Sequence, residues 1–232
     1  MIEGIRISII VIVAGDSAGG NLAAAVALKL RGLASSSLPR LKAQMLIYPV
    51  LQGFDLTLPS LVENSDKLFG SQRGLARSIL SYMGVPANDE LVQQMVQNQH
   101  ITSSLRKEYE DIMNINLLPG KYQKEYVEGK KEGNRELENK LQDTLLDPYF
   151  LPLMAKDLSD LPSTFIMSCE FDTLRDENIM YAKRLEQAGV EVTWIHYEDG
   201  FHGIVNYICP PMTLQLGIRT RDDMVAFFKE KL

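Results

Sequence analysis

The residues with the clearest chemical purpose are Gly15-Asp16-Ser17-Ala18-Gly19, which stand where an Ile/Val-rich run gives way at once to an Ala-rich helical pattern. A G-x-S-x-G segment between a strand and a helix mounts its serine on a strained turn, so that Oγ stands clear of the sheet edge. The glycines have a steric reason. Residues two before and two after the serine crowd each other across the turn, so a Cβ at Gly15 or Gly19 is expected to push the helix off the strand. The backbone N–H of Ala18 is expected to point where the oxygen of a tetrahedral intermediate would carry its charge. The chemistry implied is acyl transfer.

A serine hydroxyl is a poor nucleophile at neutral pH, so it needs a histidine to take its proton and a carboxylate to hold that histidine in one tautomer. The chain has three histidines. His100 falls in a helical stretch and reads as a solvated residue. His196 lies within a strand, on the face of Val190, Val192 and Trp194, and reads as a satisfied core or edge histidine. His202 follows a strand in a Gly-flanked loop, where a general base belongs. Among the acids, Glu170 is inside a strand, Asp176 and Glu177 read as helix N-terminal charges, and Glu198 and Asp199 share the loop of the base. Asp172 is the first acid past a strand end and completes the order Ser17, Asp172, His202.

These residues need a frame. Residues 5 to 14 are nearly all apolar, which predicts a strand covered on both faces in a parallel sheet. A helix over Asn21 to Arg31 ends near Gly32 and a Ser/Pro loop, Ser35 to Pro39. Ala43 to Val50 reads as the next strand, and strand, helix and strand make a right-handed crossover unit. From Phe54 to Asp147 the pattern is helical, at Gly74 to Met83 and Asp89 to Gln97, with a charge-rich stretch over Lys121 to Lys140 that reads as a solvated loop or a mobile helix face. We therefore expect a core over 1–53 and 148–232 and a helical lid over 54–147. Ser163 to Phe171 resumes the sheet, a helix over Asp176 to Ala188 stops at Gly189, Val190 to Tyr197 is the next strand, and EDGFHG is the loop presenting His202. A final helix begins at Thr220, with Thr220 and Asp223 at capping-box spacing.

Composition narrows the class. A chain of 232 residues, 45% hydrophobic, can bury a sizeable core. A net charge of −6 argues against a nucleic-acid partner, which would need a basic surplus. No apolar stretch reaches the ~20 residues that span a bilayer. Two cysteines, Cys169 and Cys209, are too few for a disulfide scaffold. Neither C-x-x-C nor H-E-x-x-H occurs, so no metal or cofactor is called for.

Five stretches, GDSAGGNLAAAV at 15–26, LIYPVLQ at 46–52, the run CEFDTLRDENIMYAKRLEQAGVEVT from Cys169, EDGFHG at 198–203 and GIRTRD at 217–222, together resemble the serine esterases typified by hormone-sensitive lipase, in the branch of arylacetamide deacetylase and neutral cholesterol ester hydrolase. The resemblance implies an α/β-hydrolase core with a helical cap, esterase activity on apolar acyl esters (lipid or aryl), and association with the endoplasmic reticulum membrane. It places nucleophile, acid and base on Ser17, Asp172 and His202. The family's His-Gly-Gly-Gly oxyanion loop and N-terminal anchor do not occur in this sequence, which starts about one strand before the serine, so the first strands of the family's sheet are expected to be missing. Two functions follow as expectations: a serine carboxylic-ester hydrolase, or an impaired homologue that binds lipid or a partner.

Overall fold

Segments rich in Ile, Val, Leu and Met alternate with helix-forming segments, and that alternation calls for parallel strands joined by crossover helices. The computed structural model describes residues 10–31, 40–65, 67, 70–124, 126 and 132–232. Its strands are β1 (Val11–Asp16), β2 (Leu41–Ile47), β3 (Ser163–Phe171) and β4 (Val192–Phe201), all parallel and lying side by side in chain order. Helix α1 (Ala18–Arg31) joins β1 to β2. Between β2 and β3 come α2 (Pro59–Glu63), α3 (Gln72–Tyr82), α4 (Asp89–Val96), α5 (Ser103–Glu108), α6 (Gly120–Gln123) and α7 (Arg135–Leu145), with no strand among the described residues. Helix α8 (Arg175–Gln187) joins β3 to β4, and α9 (Gln215–Lys231) closes the chain.

Side chains alternate across the sheet and feed two cores. Leu46 and Ile166 join Ala23, Ala24, Ala27 and Leu28 of α1 and Ile179, Met180 and Leu185 of α8, in a cluster that continues into the apolar faces of α3 to α7. The alanines keep α1 close to the strands. Met45, Phe165, Met167 and Cys169 point the other way, toward Phe227 of α9. Leu46, Ile166, Ile179 and Leu185 are fully buried, and each contributes about 2 kcal/mol by leaving water.

Four local expectations are corrected. Among the described residues, the first strand starts at Val11 and is only half-buried, because β1 is the edge of the sheet; residues 5–9 lie outside the described residues. The second strand stops at Ile47, since Tyr48 takes a positive φ of 34° before Pro49. The fourth strand continues through Glu198 to Phe201, so that stretch is strand and not loop. The last helix begins at Gln215. Thr220 is therefore a buried interior residue whose hydroxyl donates to the Gly217 carbonyl, and it caps nothing. Gly32, the 35–39 loop, and residues 125 and 127–131 of the charged run lie outside the described residues.

The turn after β1 distributes its glycines differently from the sequence expectation. A Cβ on Gly15 would stand 2.1 Å from the Gly19 carbonyl oxygen, and one on Gly20 2.8 Å from the Pro49 Cβ, whereas one on Gly19 would meet nothing within 4 Å. Gly20, not Gly19, is the second position of close approach. Gly15→Ala and Gly20→Ala should each lower stability by about 1–3 kcal/mol through overpacking, with Gly19→Ala near neutral. Chemical denaturation of the three variants checks the ranking.

Candidate active site

Ser17 sits between β1 and α1 in the left-handed region, at φ 54°. Such a backbone costs a non-glycine residue free energy unless its surroundings fix it. Here they do. The Ser17 N–H donates to the Ile47 carbonyl at 2.9 Å, and the Ser17 carbonyl accepts from the N–H groups of Asn21 and Val50 at 3.1 and 3.2 Å. The buried Asn21 amide donates to the carbonyls of Val50 and Phe150 at 2.9 and 2.8 Å, tying two loops to the start of α1. Ala18 opens α1, so its N–H belongs to the first turn, which has no intrahelical acceptors.

The acid and base arrive by strand register. Cys169 pairs with Tyr197, but the next pair is Phe171 with Phe201, so Glu198-Asp199-Gly200 bulge out opposite the single residue Glu170. Asp172 and His202 each follow one member of that last pair and are therefore neighbours. Without the bulge His202 would lie two residues farther along, about 6.6 Å away. Gly200 makes the bulge possible, because a Cβ there would come within 2.8 Å of Cys169 Sγ and of Tyr197 Cβ.

Ser17, His202 and Asp172 form one hydrogen-bonded line. Ser17 Oγ lies 2.9 Å from His202 Nε2, and His202 Nδ1 lies 2.9 Å from Asp172 Oδ2. The carboxylate can only accept, so Nδ1 carries the proton and Nε2 is free to accept from the serine. The other oxygen, Asp172 Oδ1, accepts from the Leu174 N–H at 2.9 Å. The side chain of Asp172 is fully buried, while His202 keeps 23% of its side-chain surface exposed. Burial of the imidazole works to lower its pKa. The hydrogen bond to Asp172 and the charges of Asp172 and Asp16 outweigh it, and the net pKa lies above the ordinary histidine value. Tyr48 packs against the imidazole with ring centroids 4.7 Å apart, a support that the sequence reading did not single out.

The other candidates have separate roles. His196 Nδ1 lies 2.9 Å from Ser168 Oγ and its Nε2 2.9 Å from Glu170 Oε2, which is a serine, a histidine and an acid in contact. Ser168 is fully buried and accepts from Trp194 Nε1, so this set is closed to any substrate. Burial lowers the His196 pKa against the raising influence of Glu170. His100 is not solvated as expected. It is 1% exposed, donates from Nε2 to the Gly53 carbonyl at 2.9 Å, and burial lowers its pKa to about 4. Asp176 and Glu177 stand in the first turn of α8, as expected of helix N-terminal charges, and both are buried there. Asp176 accepts from the Ser60 N–H at 2.7 Å and Arg175 Nε at 2.9 Å, and Glu177 from the Leu51 N–H at 2.6 Å. Both fasten α8 to the segment after β2. Glu198 and Asp199 form the exposed bulge.

Beside Ala18 an apolar cavity of about 190 Å³ opens between α1, α3 and the loop at Phe150. Leu22, Leu75, Ile79, Tyr82 and Phe150 line it. Among the described residues no three His, Cys, Asp or Glu side chains are grouped to hold a metal ion, and no helix is long and apolar enough to cross a membrane.

Residues 6–107 and 121–206 match the family model of the alpha/beta hydrolase fold. The chain belongs to the α/β-hydrolase family. This α/β-hydrolase family member is 38% identical over 226 residues to neutral cholesterol ester hydrolase 1 of Pongo abelii, covering 95% of itself and 54% of that relative. To arylacetamide deacetylase of Oryctolagus cuniculus it is 40% identical over 198 residues, covering 84% and 49%. These are the two names in the branch that the sequence motifs resemble, and the chain spans about half the length of each. A hyperthermophilic esterase from Pyrobaculum calidifontis, 26% identical, superposes with a TM-score of 0.56 over 94% of this chain and 52% of its own. An esterase from Rhizomucor miehei shares the fold at 23% identity, with a TM-score of 0.58, over 94% and 49%.

The balance at His202 gives a direct prediction. Asp172→Asn removes the two larger raising influences and leaves the lowering effect of burial against the charge of Asp16 alone, so the imidazole should titrate below wild type. NMR titration of the His202 ring protons measures it.

Proposed function

We propose that this chain is a serine carboxylic-ester hydrolase acting on esters with an apolar acyl group, with Ser17 as nucleophile, His202 as general base and acid, and Asp172 as the orienting acid. The observation that carries the reading is the line Asp172–His202–Ser17, whose serine, unlike Ser168, is partly exposed beside a cavity. Ser17 Oγ attacks the ester carbonyl as its proton passes to His202 Nε2, and Asp172 stabilises the imidazolium that results. The Ala18 N–H donates to the oxyanion. His202 returns the proton to the departing alcohol, leaving an acyl group on Ser17. A water activated by the same histidine then releases the acid.

The apolar cavity supports the choice of substrate. It is slightly larger than the ~150 Å³ that accommodates benzene, which suits an aryl or a short alkyl acyl group. Leu22 and Val26, both exposed, lie on successive turns of α1 leading away from Ala18 and offer a longer chain an apolar track. The names of the relatives, a cholesterol ester hydrolase and an arylacetamide deacetylase, agree with this chemistry.

Fluorophosphonates of increasing alkyl length test both halves of the proposal. Wild type should be labelled at Ser17, at a rate rising about fourfold for each methylene that the cavity buries, and Ser17→Ala should not be labelled. A folded wild-type chain with no adduct at Ser17 overturns the hydrolase reading and leaves a binding role. Labelling at a rate independent of chain length overturns only the apolar preference.

A further inference from the structure

The acid is held from outside its own strand. Beyond Phe171 the β3 backbone leaves the sheet, and the bulge in β4 takes Glu170 out of the ladder. The carbonyls of Glu170 and Asp172 are met by one side chain: Asn64 Nδ2 donates to both, at 3.2 and 3.1 Å. Asn64 is 2% exposed and ends α2, where its N–H donates to the Ser60 carbonyl. Lys67 Nζ donates to Asn64 Oδ1 at 3.1 Å. That contact fixes the sense of the amide, since the flipped rotamer would set an oxygen against two carbonyls and an NH2 against an ammonium.

Two further contacts from α2 reach the same turn. Ser60 Oγ donates to the Thr173 carbonyl at 2.8 Å, and Glu63 pairs with the buried Arg175. The turn itself adds the bonds to Asp172 from the N–H groups of Leu174 and Arg175 and a longer one, 3.4 Å, from Arg175 Nη1 to the Glu170 carbonyl. The backbone that carries Asp172 is thus clamped between its own first helical turn and a helix more than a hundred residues earlier in the chain.

We propose that Asn64 is a positioning residue for this site: by holding the Glu170 and Asp172 carbonyls it sets the Asp172 carboxylate against His202. The role rests on the hydrolase reading for its catalytic meaning, but its geometry does not. Loss of the amide leaves the Asp172 carbonyl with the Arg175 N–H at 3.2 Å and the Glu170 carbonyl with a 3.4 Å contact to Arg175 Nη1, and removes the one donor that ties both carbonyls to α2, so the acid turn can shift. A displacement of about 1 Å at a catalytic group costs on the order of 100-fold in rate.

The test uses Asn64→Ala and the near-isosteric Asn64→Leu, with Val62→Ala, an exposed position on the same helix, as control. Two quantities are read on each folded variant, the NMR titration of His202 and the rate of fluorophosphonate labelling at Ser17. The groups that set this titration are Asp172 and Asp16. With Asp172 misplaced, His202 should titrate below wild type and labelling should slow about 10- to 100-fold, while Val62→Ala changes neither. A merely structural role would lower the melting temperature and leave the titration of the folded fraction in place. Either folded Asn64 variant with wild-type titration and labelling overturns the proposal. If wild type itself fails to label, the hydrolase reading falls, and the His202 titration alone then decides whether Asn64 positions Asp172.

Discussion

The register between β3 and β4 is the constraint on which the site depends. Three residues of β4 stand opposite one of β3, and this offset brings the residues after Phe171 and Phe201 level with each other. An uninterrupted parallel ladder would separate Asp172 from His202 by two residues of rise, too far for a hydrogen bond. The bulge in turn needs Gly200, whose missing side chain leaves room for Cys169 and Tyr197. A bulge beside an active site that re-aims a side chain is a recurrent device. Here it aims a histidine at a serine carried by a strand three places away in the sheet.

That serine has its own constraint. At φ 54° its conformation is unfavourable for an isolated residue, and it persists because strand, helix and loop all bond to it. The same bonds dictate the glycines. Gly15 and Gly20 let β1, α1 and the loop at Pro49 approach one another, and Gly19 stands in the open. The elbow is thus a three-way junction in which the end of β2 supplies as much support as β1 or α1.

Much of this was legible in the sequence because it depends on short-range patterns. The apolar runs, the Ala-rich helix and the stop at Gly189, which takes the left-handed conformation with φ 81°, follow from local rules of strand and helix formation. The residue order Ser17, Asp172, His202 also pointed to the hydrogen-bonded line. What escaped was non-local. No periodicity shows that Glu198 to Gly200 bulge, because EDGFHG reads as a loop whether or not its first residues pair. Burial of His100, Asp176 and Glu177 depends on partners that lie far off in sequence, Gly53, Ser60 and Leu51. Tyr48 and Asn64 act by packing and by bonding to backbone, and a single sequence gives no sign of that. The edge position of β1 likewise depends on which strands neighbour it and not on its composition.

In the proposed mechanism one serine carries the acyl group between two half-reactions. Rapid acid quenching of the chain after mixing with p-nitrophenyl acetate, followed by peptide mass spectrometry, observes that intermediate directly. An acetyl group on the peptide containing Ser17, present in wild type and lost in His202→Ala, is the predicted result. Ester turnover with no acetyl on Ser17, or with the group on another residue, would contradict it.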